Sequence, residues 1–158
     1  MNGIEQTIDY LEGALRQFPG GALRLVLTAL LGLIFLWSGV AKARSPWITA
    51  LAVVDYGVVR RPVIGVAWLV AIGELGLAAM LLIAPTVSST LTVTAAGIAT
   101  CAFLLFSVLI ARALLAGRSF ACACFGSGER LTSKTLVRSS VLALTALACA
   151  TAGPLGPP

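Results

Sequence analysis

Histidine is absent from all 158 residues, which excludes imidazole general bases, histidine-containing zinc sites and axial haem histidines. Charge is scarce as well. Charged residues make up 11% of the chain, where a soluble domain carries about 25%. Apolar residues reach 59% and the mean hydropathy is +1.01, so the chain has too little polar surface for a soluble globule. The few charges are gathered between apolar runs, and the composition reads as one integral membrane domain. Chemistry must therefore come from thiols and carboxylates, of which there are 4 cysteines and 6 acids.

The expected fold is all-α: a four-transmembrane-helix bundle with an N-terminal amphipathic helix and a short interfacial helix between the first two spans. Ile4, Ile8, Leu11, Leu15 and Phe18 recur at spacings of three or four with charged residues between them, the pattern of a helix lying on a membrane. This segment, 1–21, lacks a basic stretch leading directly into an apolar core, so no cleavable leader is expected. The membrane domain covers 22–152, and the breaker-rich tail 153–158 is expected to be disordered. Within the domain, apolar runs at about 22–41, 62–83, 91–115 and 132–152 are each long enough for a hydrocarbon layer of about 30 Å. Ser45-Pro46 reads as an N-cap followed by a first-turn proline. The interfacial helix it starts is expected to group Trp47, Leu51, Val54 and Val58 on one face, with Trp47 and Tyr56 at headgroup level. Small residues at helical spacing, Gly73 with Gly76 and Ala95 with Ala99, are candidate points of close helix approach.

Four spans put the connections 42–61 and 112–138 on one side. That side holds Lys42, Arg44, Arg60, Arg61, Arg112, Arg118, Arg130, Lys134 and Arg138, against Arg16 and Arg24 on the other. The positive-inside rule assigns the richer side to the cytoplasm. It assigns the cysteine-bearing loop there with it.

That loop contains Cys122-Ala123-Cys124-Phe125-Gly126. Two cysteines one residue apart lie near the limit of what a disulfide spans, so the ring they close is strained and easily reduced. Labile pairs of this kind suit thiol–disulfide exchange better than structural stapling. Arg118 and Arg130 border the loop, and positive surroundings favour thiolate. Two other readings of the pair stay open: a static or unrelated pair of cysteines, and a soft-metal site for Cu(I)- or Hg(II)-like ions.

Glu74 is the one acid inside a span, and an intramembrane carboxylate has a functional role by default. It would sit protonated, relay a proton or bond a helix neighbour. Lys42 ends the first span on the side of the cysteine loop, where it would either approach a thiolate or snorkel to the interface. Cys101 and Cys149 fall at comparable depth, roughly 20 Å from the loop ends of their helices. They would form a buried relay pair or simply fill the core.

Taken in order, these residues resemble the MauE-type branch of the MauE/DoxX redox-associated membrane proteins, the methylamine-utilisation accessory proteins. Gly39 and Lys42, then Pro46 and Tyr56, are similar to the family's glycine, lysine, proline and tyrosine pattern. Glu74 with Gly76 resembles its second-helix acid and glycine. Cys122, Cys124, Phe125 and Gly126 resemble its Cys-x-Cys-Phe-Gly signature, and Arg138 its fourth-helix arginine. Ala123 stands where glycine is frequent, and Ser139 where asparagine is expected. The resemblance implies a thiol–disulfide oxidoreductase serving disulfide formation or redox maturation of an exported protein, beside a thioredoxin-like partner. An exported client conflicts with a cytoplasmic loop, unless electrons from a cytoplasmic donor cross the membrane along a path such as Cys101 and Cys149, or the charge bias serves something else, such as binding a partner. In that mechanism Cys122 or Cys124 attacks and the other resolves, Lys42 or Arg118 favours the charged sulfur, and Glu74 handles a proton. A quinone is a possible electron partner, membrane lipid surrounds the chain, and no nucleic acid is expected to bind. The competing classes are a non-catalytic assembly or chaperone subunit and a soft-metal carrier.

Overall fold

The computed structural model describes residues 20–117 and 132–151. The amphipathic segment 4–18, the cysteine stretch with Arg118, Phe125 and Gly126, and the tail 153–158 lie outside the described residues. All regular structure among the described residues is helical: α1 (Gly20–Arg44), α2 (Pro46–Asp55), α3 (Ile64–Val87), α4 (Ser89–Leu115) and α5 (Ser133–Thr151).

Three of these, over Ala22–Arg44, Ile64–Val87 and Ser89–Leu115, are long and apolar enough to cross a membrane. The fourth span expected at 132–152 does not reach that composition. Its helix, α5, has 19 residues and includes Lys134, Arg138 and several serines and threonines. It nevertheless packs as the fourth member of the bundle, burying Ser139, Ala143, Ala146 and Cys149. Around the bundle α1 packs on α3, α3 on α4, α4 on α5 and α5 back on α1, while α2 lies against α3.

Helix boundaries follow local chemistry. Pro85 does not end α3, which runs on to Val87. In this last turn Thr86 Oγ1 donates to the Ile83 carbonyl at 2.8 Å and the Ser88 amide to the Ala84 carbonyl at 2.9 Å, which satisfies carbonyls at the helix end. Ser88 alone separates α3 from α4, and its side chain caps α4 by accepting from the Thr90 amide at 3.2 Å. Ser45 precedes α2 with Pro46 in the first turn but makes no side-chain cap. Its carbonyl instead accepts from the Thr49 amide at 3.2 Å.

The core is built from small residues. Ala78, Ala95, Ala96, Ala99, Ala143 and Ala146 are buried beside Leu31, Phe35, Leu77, Leu81, Phe103 and Cys149, while Leu69, Leu105 and Leu144 point outward. Lipid tails are as apolar as leucine, so large side chains gain little by turning inward and small ones allow backbones to close up. The same rule holds for α2, where Trp47 and Leu51 of the expected shared face turn outward. Its buried face is Thr49, Ala50 and Ala52. Tyr56 packs beside Ile110 and Ala113 rather than standing outward with Trp47.

Ala95 and Ala99 do lie in the core, but Gly73 and Gly76 face open space. The close approach is made instead by Gly32 and Gly39. A Cβ on Gly32 would stand 2.8 Å from Leu82 Cγ, and one on Gly39 would stand 2.8 Å from Leu75 Cγ and 3.2 Å from the Leu75 amide nitrogen. The opposite order of the contacts shows that α1 and α3 run antiparallel. Gly39→Leu is therefore expected to destabilise the bundle by roughly 1–3 kcal/mol, seen as a lower Tm in detergent. Gly76→Leu, whose Cβ would meet nothing within 4 Å, should leave Tm unchanged.

Candidate functional site

The site grows out of one seam. On α1 the buried positions Arg24, Thr28, Leu31, Phe35, Ser38 and Lys42 alternate at spacings of four and three, a repeat of 3.5 that keeps one stripe facing a neighbouring helix. On α3 the buried positions Ala67, Ala71, Glu74, Ala78 and Leu81 follow the same rhythm. Two such stripes run antiparallel, with Gly39 against Leu75 and Gly32 against Leu82. Lys42 must then meet Glu74.

The meeting is close. Lys42 Nζ lies 2.8 Å from each Glu74 carboxylate oxygen and donates to Ser38 Oγ at 2.6 Å, one turn back on α1. The Phe106 ring of α4 stands over the ammonium, its centroid 5.8 Å away, within the range of about 6 Å for a cation–π contact. Lys42 and Glu74 are only 5% and 6% exposed. Snorkelling is thereby overturned, because Lys42 turns inward to the one acid at membrane depth. An ion pair in such a place needs good geometry and added polar partners to offset desolvation. Ser38 and Phe106 are those partners, and both were missed by sequence reasoning. The α1 seam contained the signal for Ser38, which shares its stripe with Lys42.

Two cavities flank the pair. On one side, between α1, α4 and α5, a cavity of about 30 Å³ is bounded by Ser38, Lys42, Glu74, Thr135 and Ser139. It is large enough for a single water, which needs about 10–15 Å³. Ser139 also joins two helices, accepting from Ser107 Oγ at 2.9 Å and donating to the Phe103 carbonyl at 3.3 Å. Thr135 lies in the first turn of α5, so this cavity points to the end of the bundle at which segment 118–131 begins and ends. From Phe106 to Leu115 the rise along α4 is about 14 Å. On the other side, between α1, α2, α3 and α4, lies a cavity of about 410 Å³ with almost wholly apolar walls. Lys42, Glu74 and Tyr56 border it.

The remaining candidates are scattered. Cys101 and Cys149 are both free, the first exposed and the second buried, with Thr28 and Arg24 as polar neighbours of Cys149. The Ser139 contact puts Phe103 and Ser107 level with Ser139, so Cys149 lies deeper than Cys101 by about 6–9 Å along the bundle. The two are not joined as a buried pair. Arg138 is on an exposed face of α5. Among the described residues no group of three or more Cys, Asp or Glu side chains could hold a metal ion.

Compared with known proteins, the chain matches a family described as Methylamine utilisation protein MauE over residues 21–152. No curated protein and no solved structure matches it.

Proposed function

The chain belongs to the MauE family, and from that premise we propose that it is a membrane thiol–disulfide exchange protein whose Cys122 and Cys124 serve disulfide formation or redox maturation of a partner or exported protein. The observation that carries the reading is the pair itself: two thiols one residue apart in a polar segment of a chain otherwise poor in reactive groups. A ring closed between them is strained and therefore a ready participant in exchange. One cysteine attacks a partner's disulfide as thiolate, and the other resolves the mixed disulfide. The partner is a thioredoxin-like protein.

The buried pair supports this reading from below. Segment 118–131 leaves α4 and enters α5 at the end of the bundle that also holds the start of α3 and the end of α1. Lys42 and Glu74 sit inside that end, with a water-sized cavity leading toward α5. Exchange moves protons together with electrons, and Glu74 with Ser38 and Ser139 offers places for one to rest. In the same reading α5 crosses the membrane as a fourth span, the protein resides in the cell membrane, and the basic end faces the cytoplasm.

Labelling with a membrane-impermeant maleimide in intact cells tests sidedness and redox state together, in a variant with Cys101 and Cys149 changed to serine. Protection in intact cells with labelling after lysis is the expected result. Labelling from outside that requires prior reduction would reverse the topology while retaining the disulfide. Absence of both exchange with a dithiol and any mixed disulfide would remove the function.

A further inference from the structure

We propose that the cavity of about 410 Å³ between α1, α2, α3 and α4 is a binding site for the ring of a membrane-soluble quinone, seated against the Lys42–Glu74 pair. Its volume lies within the range of about 300–1,000 Å³ typical of small-molecule sites, and it has their usual character, apolar walls with few polar groups. Phe35, Val70, Leu77 and Phe106 supply flat or branched apolar surface, and among the described residues the pair supplies the only charges in the wall.

The chemistry of that pair narrows the ligand. A quinone ring is uncharged, and its carbonyl oxygen accepts from Lys42 by exchanging for one of the three bonds that the ammonium gives to Ser38 and the two Glu74 oxygens. The corresponding quinol carries hydroxyls that donate to a carboxylate. Each Glu74 oxygen accepts from Lys42 and has a second lone pair, so both oxidation states find a match. A lipid acyl chain fits the apolar walls but uses neither group. The Phe106 ring, already over the Lys42 ammonium, adds an aromatic face for the ring to stack on.

The assignment deepens the proposed exchange function and rests on it only for what the ligand does. Oxidation of the Cys122 and Cys124 thiols breaks two S–H bonds, forms one S–S bond and releases two electrons and two protons. A quinone takes up the same two electrons and two protons as its two C=O groups become C–OH. The thiols are supplied by exchange run in the disulfide-forming direction, in which a client dithiol becomes a disulfide as the Cys122–Cys124 disulfide is reduced, so that client dithiol plus quinone gives client disulfide plus quinol.

Gly73 provides the test. It borders the cavity, and a Cβ built on it meets nothing within 4 Å, so Gly73→Leu fills the cavity without a clash. Ubiquinone-1 is titrated into the full-length protein in nanodiscs, and bound quinone is measured by equilibrium dialysis against empty nanodiscs. Saturable binding of one ubiquinone-1 per chain is expected, weakened at least tenfold by Gly73→Leu and unchanged by Gly76→Leu. Ala102→Leu, reaching the same cavity from α4, should repeat the loss if Gly73→Leu does not fold. Binding should persist in the Cys122→Ser, Cys124→Ser double variant. If that persistence is seen but the wild type forms no quinol and neither exchanges with a dithiol nor forms a mixed disulfide, the exchange reading fails and the site stands. Non-saturable partition, binding indifferent to both fillings, or a phospholipid that ubiquinone-1 does not displace overturns the site, whatever the thiols do.

Discussion

Lys42→Met is expected to be among the most damaging single changes in the bundle, at a cost of about 3–5 kcal/mol, because it leaves a buried carboxylate without its counter-charge. Glu74→Leu should cost a similar amount by stranding the ammonium. Paired as Lys42→Met with Glu74→Leu, the two changes should recover most of the lost stability, since a matched apolar pair suits this depth and removes the desolvation of both ions. Thermal or detergent denaturation of the four proteins checks the prediction, and the double-variant cycle isolates the pair. Additive losses would mean that the two side chains do not depend on each other. The double variant also separates structure from chemistry. A folded protein that has lost thiol exchange or quinone binding would show that the ion pair is retained for function rather than stability.

Why that pair escaped the sequence reading is instructive. Length placed the end of the first span at Ala41, which left Lys42 just outside and free to reach the interface. The helix runs on to Arg44, and α3 begins eight residues before the level at which it meets Lys42. Lys42 is thus enclosed by the longer neighbour although it stands near the end of its own helix. Hydropathy records how apolar a segment is but not where its neighbours end. The repeat of 3.5 from Arg24 through Thr28, Leu31, Phe35 and Ser38 to Lys42 did contain the information, because it marks both ends of one buried stripe. Glu74 was legible for a simpler reason, being the single acid in a long apolar run.

Other features divide along similar lines. The helix order, the short α2 and the turn at Ser88 follow from apolar runs and breakers, which are local signals. Which face of α2 turns inward does not, because in lipid the large apolar residues are free to point outward and the small ones pack. Gly32 and Gly39 look no different in sequence from Gly73 and Gly76. Only the approach of Leu82 and Leu75 separates the first two. In α5 the hydroxyls that lower its hydropathy are in part structural, as Ser139 bridges to Ser107 and Phe103.

The second large effect concerns the thiols. Cys122→Ser and Cys124→Ser should each reduce exchange with a dithiol substrate by at least about a hundredfold, because an attack that cannot be resolved, or a resolution with no attack, does not turn over. The two variants should differ in one respect. Removing the resolving cysteine leaves the attacking thiolate able to open the disulfide of an oxidised thioredoxin-like partner and hold it as a stable mixed disulfide, visible as a reducible adduct on a non-reducing gel. Removing the attacking cysteine leaves no adduct. The variant that traps the partner therefore identifies the nucleophile as the cysteine it retains. Cys101→Ser and Cys149→Ser should leave both turnover and trapping intact, since one thiol is exposed and the other buried and they are not joined. Full partner maturation in the Cys122→Ser, Cys124→Ser double variant would instead assign the protein to a non-catalytic assembly role, in which the bundle alone holds its partner.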